Sequence, residues 1–175
     1  DRLRSRGLGD VYKRQGQDSV LLSAFAKPRR NAKLLDLGCG TGALALLIWR
    51  PDLKITGLEL QDGPLDLFRQ SIAANELENV TALQGDLRQM RTLLPHGSID
   101  YVICNPPYGE RLLDVKTAED IYKTMGRVFT PKRGWSYAAI SPDERFETCF
   151  GKKADRRRKL YNGMIRCQYY MYFKA

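Results

Sequence analysis

The chain has 175 residues, enough for one complete domain and not comfortably two. Apolar residues are 43% and charged residues 28%, which permits a buried core and argues against whole-chain disorder. The net charge of +9 suits a polyanionic partner, although charge alone favours the plainer reading of a solvated surface. The longest apolar run, Ala43 to Trp49, is seven residues, far below the ~20 needed to span a bilayer. Four cysteines at 39, 104, 149 and 167 form neither a CxxC knuckle nor a disulfide framework. These features lead us to expect a reduced, cytoplasmic protein with no membrane segment and no metal.

Residues 1–15 show no helical or strand period and carry five basic residues against Asp1 and Asp10, a net of +3. They are similar to translated adaptor sequence, and are expected to be disordered or extraneous to the 16–175 domain. From Gln17 onward, short apolar runs alternate with helical segments, the pattern of a parallel sheet with crossover helices. Asp18–Ala26 reads as a short amphipathic helix and Lys33–Leu37 as a first, fully buried strand. A glycine loop, Gly38–Gly42, then opens a helix running to about Arg50. Lys54–Leu60 is the second strand, and Asp62-Gly63-Pro64 starts a helix to about Leu77. The third and fourth strands are Asn79–Gln84 and Ser98–Cys104. A helix over Ala118–Phe129, a strand over Trp135–Ile140 and a helix over Asp143–Phe150 follow. Arg157–Tyr161 and Met164–Phe173 flank Asn162-Gly163, a hairpin signal. The expected architecture is α/β: a doubly wound, Rossmann-like, mostly parallel seven-stranded sheet closed by an antiparallel C-terminal hairpin.

In Asp36-Leu37-Gly38-Cys39-Gly40-Thr41-Gly42, three glycines on alternate positions follow a buried strand. Such a loop lets backbone approach a ligand closely at a helix start. Glu59 ends the second strand, where a carboxylate can accept both ribose hydroxyls. Asp86 follows the third, placed to accept an adenine amine. Together they describe an adenosine site, with Asp36, Gly38, Cys39, Gly40, Gly42, Glu59 and Asp86 as its candidate residues. The glycine pattern alone would also suit a dinucleotide.

Asn105-Pro106-Pro107-Tyr108 follows the fourth strand. Its prolines supply no donors, so the Asn105 amide oxygen and the Pro106 carbonyl can accept both N–H groups of a planar exocyclic amine. That frees the nitrogen lone pair for attack, and Tyr108 can stack on the base. No strong base is needed for an already activated methyl donor. The lone histidine, His96, sits in a polar turn and reads as surface.

These motifs together resemble the class I S-adenosylmethionine-dependent methyltransferases, in the amino-methylating branch with an Asn-Pro-Pro-Tyr motif. Residues 16–108, with Gly16-Gln17-Asp18-Ser19-Val20-Leu21-Leu22, resemble tRNA adenine-N6 methyltransferases. Residues 105–174, with Gly134-Trp135-Ser136 and Gly151 through Gly163, look like ribosomal RNA guanine-N2 methyltransferases that usually carry a THUMP domain. The glycine loop departs from the Asp-Pro-x-Cys-Gly-Ser-Gly type of the latter. The change of resemblance at Asn-Pro-Pro-Tyr-Gly raises the expectation of a chimera or an incomplete gene. The resemblance implies S-adenosylmethionine on the glycine-loop residues and the target purine on Asn105, Pro106, Pro107 and Tyr108. It puts guanine-N2 of ribosomal RNA first and adenine-N6 of tRNA second. The block Lys152, Lys153, Arg156, Arg157, Arg158 and Lys159, opposed only by Asp155, would track RNA phosphates. An NAD-dependent oxidoreductase and a non-catalytic RNA-binding module are the alternatives from other classes. The Asn-Pro-Pro-Tyr turn speaks against the first.

Overall fold

In the computed structural model, residues 17–95, 97–106, 115–130 and 134–174 are described. The segment 1–15, His96, Pro107 and Tyr108 therefore lie outside the described residues. Strand β1 (Lys33–Leu37) is buried from Leu34 onward, as expected of a parallel strand covered on both faces. It pairs in parallel with β2 (Lys54–Glu59) on one side and β4 (Tyr101–Cys104) on the other. Strand β3 (Val80–Gln84) extends the sheet beyond β2, and β5 (Ser136–Ser141) extends it beyond β4. Strands β6 (Arg156–Asn162) and β7 (Ile165–Tyr172) complete the sheet as an antiparallel hairpin, β7 lying against β5. The order is β3-β2-β1-β4-β5-β7-β6, the expected seven-stranded architecture. Because the chain winds outward from β1 and then returns to the other side of it, the strand order reverses between β1 and β4. In open α/β sheets such a reversal marks where ligands bind, at the carboxyl ends of the strands.

Helices cover both faces. Helix α1 (residues 17–25), α2 (Ala43–Ile48) and α3 (Asp62–Ala74) bury Leu22, Ala45 and Phe68 against Leu34, Ile55 and Ile103. On the opposite face lie α4 (Met90–Leu93), α5 (Val115–Phe129) and α6 (Phe146–Phe150), with Tyr122, Phe129 and Phe146 against Val102, Tyr137 and Tyr170. That second core is largely aromatic. Tyr137 stacks on Tyr172 at 4.4 Å and Phe146 on Tyr170 at 4.6 Å. Gly126 lets α5 meet α6, since a Cβ there would lie 1.8 Å from the Phe150 carbonyl oxygen.

Several boundaries differ from the sequence expectation, each for a local reason. Helix α2 stops at Ile48 rather than Arg50 because Pro51 pushes the preceding backbone toward the extended region, already adopted at Trp49. Helix α3 ends at Ala74 in a Schellman turn, with Glu76 at φ 52°, its amide on Ala73 O and that of Leu77 on Ile72 O. No glycine marks that stop. The 3₁₀ turn Leu87–Gln89 and α4 were not expected at all. The hairpin loop is Gly163-Met164, one residue later than the Asn-Gly signal, because Asn162 pairs with Ile165. Asn162 instead turns inward, buried, and donates from Nδ2 to Asp18 Oδ1 of α1. No helix among the described residues is long and apolar enough to cross a membrane.

Candidate functional site

The glycine loop is pinned from below. The amides of Gly38 and Cys39 donate to Leu58 O at 2.8 and 3.2 Å, and the Gly42 amide donates to Cys39 O at 2.8 Å. All three glycines have positive φ: 69°, 53° and 82°. They serve two purposes. A Cβ on Gly42 would fall 1.8 Å from Phe68 Cδ2, so that glycine is required by packing. A Cβ on Gly38 or Gly40 would meet nothing within 4 Å, which leaves space above the loop for a ligand to lie against bare backbone.

Asp36, the penultimate residue of β1 below this loop, is only 1% exposed. Burial, reinforced by Glu59 and opposed by the Ala45 amide, pushes its carboxyl up to about 7. Its Oδ2 is buried with no hydrogen-bond partner among the described residues. Across the crevice, Asn105 follows β4, whose Cys104 lies opposite Leu37 of β1. Asn105 Oδ1 is likewise buried without a partner among the described residues, and Pro106 is buried beside it. An acceptor buried without a donor costs about 1–3 kcal/mol. Two of them on adjacent strand ends at the switch point describe a site awaiting donors from elsewhere.

The two further acids are already engaged. Glu59 Oε2 accepts the Gly40 amide, while Oε1 accepts those of Leu60 and Gln61, each at 2.9 Å. The carboxylate thus braces the glycine loop against β2 and keeps about one of its four lone-pair positions free. Asp86 caps the 3₁₀ turn through the Arg88 amide at 2.8 Å and grips the Arg88 guanidinium through both oxygens. That pairing holds its carboxyl below the usual range. Arg88 was not singled out from the sequence; its position two residues after a strand-end acid was the available signal. Burial beside Asp36 pushes the thiols of Cys39 and Cys104 well above their usual range, so both behave as packed residues and not as nucleophiles. Among the described residues no group of His, Cys, Asp and Glu is placed to hold a metal.

The structure does not gather the basic block into one stripe. Arg156, Arg157, Arg158 and Lys159 are all exposed on the edge strand β6. Successive side chains on a strand point to opposite faces. Arg158 packs over the Phe25 ring of α1 at 4.2 Å, whereas Arg157 turns to α6 and pairs with Glu147 at 3.1 Å. Lys152 precedes the strand and lies near the Tyr137 and Tyr172 rings, and Lys153 is exposed in the same connection.

Comparison with known proteins gives this arrangement relatives. YpsC of Bacillus subtilis, whose name assigns it to the RNA methyltransferases, is 37% identical over 123 residues, 64% of this chain and 32% of its own. A ribosomal RNA large subunit methyltransferase K/L of Shewanella baltica is 30% identical over 129 residues, 73% of this chain and 18% of its own. The chain therefore spans a third or less of these curated relatives. SMU.472, assigned as a methyltransferase and crystallised with SAH, superposes with a TM-score of 0.76 at 24% identity, over 94% of this chain and 56% of that one. This last likeness speaks for the fold. A family profile described as RMKL-like, methyltransferase domain matches residues 50–171, running across the point where the two sequence resemblances meet. The strand order accords with that match, and the chain belongs to the UPF0020 family of RMKL-like methyltransferase domains.

Proposed function

We propose that this domain transfers a methyl group from S-adenosylmethionine to an exocyclic purine amine in RNA, with guanine-N2 of large-subunit ribosomal RNA as the leading target and adenine-N6 of tRNA as the second. Family membership supports the reaction class. The names of the relatives support RNA, and the ribosomal one favours rRNA. The SAH in the SMU.472 structure supports the cofactor. The observation that carries the reading is the pair of buried, unpartnered acceptors, Asp36 Oδ2 and Asn105 Oδ1, at adjacent strand ends. One faces each reactant.

The residues present fit such a cofactor: open space over Gly38 and Gly40, an acceptor at Asp36, a remaining lone pair on Glu59 for a ribose hydroxyl, and Asp86 for the adenine amine once Arg88 yields it. When bound, S-adenosylmethionine supplies a sulfonium-activated methyl. Asn105 Oδ1 and the Pro106 carbonyl then accept the two N–H groups of the target amine, turning its lone pair out of the ring plane. Positioning does most of the work, and the extra proton leaves to solvent. Pro107 and Tyr108, assigned from the sequence, would complete the turn and stack on the base. A paired target must first be flipped out.

Calorimetric titration with S-adenosylhomocysteine, run beside NADH and repeated with Asp36→Ala, tests this. Binding of S-adenosylhomocysteine alone, lost in the variant, is expected. Preference for NADH, or no binding by a folded chain, would overturn the reading.

A further inference from the structure

On the α6 face of the sheet, Glu144, Glu147, Arg157, Arg166, Gln168 and Tyr170 line a second cleft, of about 250 Å³. This is somewhat below the about 300–1,000 Å³ of pockets that bury whole drug-sized ligands, and suits a single nucleobase. Strand register fixes its place. Cys104 pairs with Ala139, Ala139 with Tyr170, and Tyr170 with Arg157, while Ser141 pairs with Gln168. The cleft thus lies at the same end of the sheet as Asn105, two strands away. At ~4.8 Å per strand the separation is about 10 Å, within reach of a nucleotide flanking the target base.

The lining is electrically balanced, two arginines against two glutamates, and so is poorly suited to general attraction of phosphates. Part of it is committed: Glu147 holds Arg157 through Oε2 and the Ala154 amide through Oε1. The side chains of Arg166, Glu144 and Gln168 have no hydrogen-bond or ion-pair partner among the described residues. A cation, a carboxylate and a carboxamide left over in one cleft match the three polar features of a guanine nucleotide. Its phosphate suits Arg166, its N1–H and N2–H edge suits the Glu144 carboxylate, and its O6 suits the Gln168 amide. Uracil offers that carboxylate one donor and no amine. We propose that this cleft is a subsite for a guanine nucleotide flanking the methylated base, an inference that rests on the RNA-methylation reading above.

The test is two-dimensional NMR of the full chain saturated with S-adenosylhomocysteine, titrated separately with guanosine and uridine 5′-monophosphates. Guanosine monophosphate should shift the Gln168 side-chain amide and the Arg166 resonances, binding about fivefold or more tighter than uridine monophosphate. Glu144→Gln should erase that preference, and Arg166→Ala should weaken both ligands. Equal response to the two nucleotides, or none in the cleft while S-adenosylhomocysteine shifts the Gly38–Gly42 amides, overturns the subsite and leaves methyl transfer standing. If S-adenosylhomocysteine shifts nothing in that loop, the reading of the reaction falls and the subsite with it.

Discussion

At the crevice between β1 and β4 the polar groups are few, buried and short of partners; along β6 they are many, exposed and partly engaged. The energetic consequences are opposite. Asp36 Oδ2 and Asn105 Oδ1 each lack a donor among the described residues, which costs the fold unless a ligand repays it. The β6 cations cost almost nothing where they are. They can protect an edge strand from pairing with another chain as readily as they can bind phosphate. An expensive omission is therefore a stronger sign of function than an inexpensive abundance.

The largest effect that could sharpen this contrast lies within the glycine loop. Gly42→Ala combines φ 82° with a Cβ 1.8 Å from Phe68 and should cost roughly 2–4 kcal/mol, seen as a clear fall in Tm. Gly38→Ala meets only open space. It should cost about 1 kcal/mol for its backbone alone while sharply reducing S-adenosylhomocysteine affinity. Equal losses of stability would break the distinction between a glycine kept for packing and one kept for a ligand.

Next is the pH dependence of Asp36. Its carboxyl stands at about 7 in the fold against 3.8 for an ordinary aspartate, so between those values the folded state holds more protons than the unfolded one. Stability from this group is present at low pH and is lost as pH rises through that window, by something of order 2–4 kcal/mol. Asp36→Asn should flatten the loss and stabilise the unliganded chain at pH 8, yet weaken the cofactor. Denaturant unfolding at pH 5 and pH 8 decides it. A variant as pH-dependent as the parent would remove Asp36 from the account.

Arg88 offers a smaller lever. It is mostly exposed and occupies both oxygens of Asp86. If the adenine amine takes that carboxylate, Arg88→Ala should leave Tm nearly unchanged and raise S-adenosylhomocysteine affinity about threefold or more. A fall in affinity would mean that Arg88 helps hold the ligand.

The fold was legible because alternating buried runs and helical segments impose a parallel sheet, and Lys33–Leu37 was placed to the residue. Asp36 and Asn105 were legible as site candidates because each lies within one residue of a strand's end, beside a conformationally restricted turn. What could not be read was which acids already have partners. Glu59 and Asp86 look alike in sequence, but one braces the glycine loop and the other holds Arg88. The 87–93 helical turns follow no apolar period, and the αL stop at Glu76 uses no glycine. Nor does a block of six basic residues within 152–159 disclose that strand pleating sends Arg157 and Arg158 to opposite faces.

That splitting gives the smallest and most discriminating expectation. Removing one phosphate-binding cation should reduce the magnitude of the slope of log K against log salt by about 0.7–0.9. Arg156 has no ion-pair partner among the described residues, whereas Arg157 sits 3.1 Å from Glu147. To meet a phosphate, Arg157 must leave or share that carboxylate, and removing it exposes Glu147 as an uncompensated negative charge. Arg156→Ala should therefore lower the slope by nearly that whole amount and weaken low-salt binding of unrelated RNA as much as that of the target. Arg157→Ala should change the slope less but weaken binding at every salt concentration, through repulsion from the freed glutamate. The double replacement Arg157→Ala with Glu147→Gln separates the causes: recovery of affinity identifies repulsion, whereas continued weakness with a flattened slope makes Arg157 a direct phosphate ligand and brings the β6 edge into the functional surface alongside the crevice.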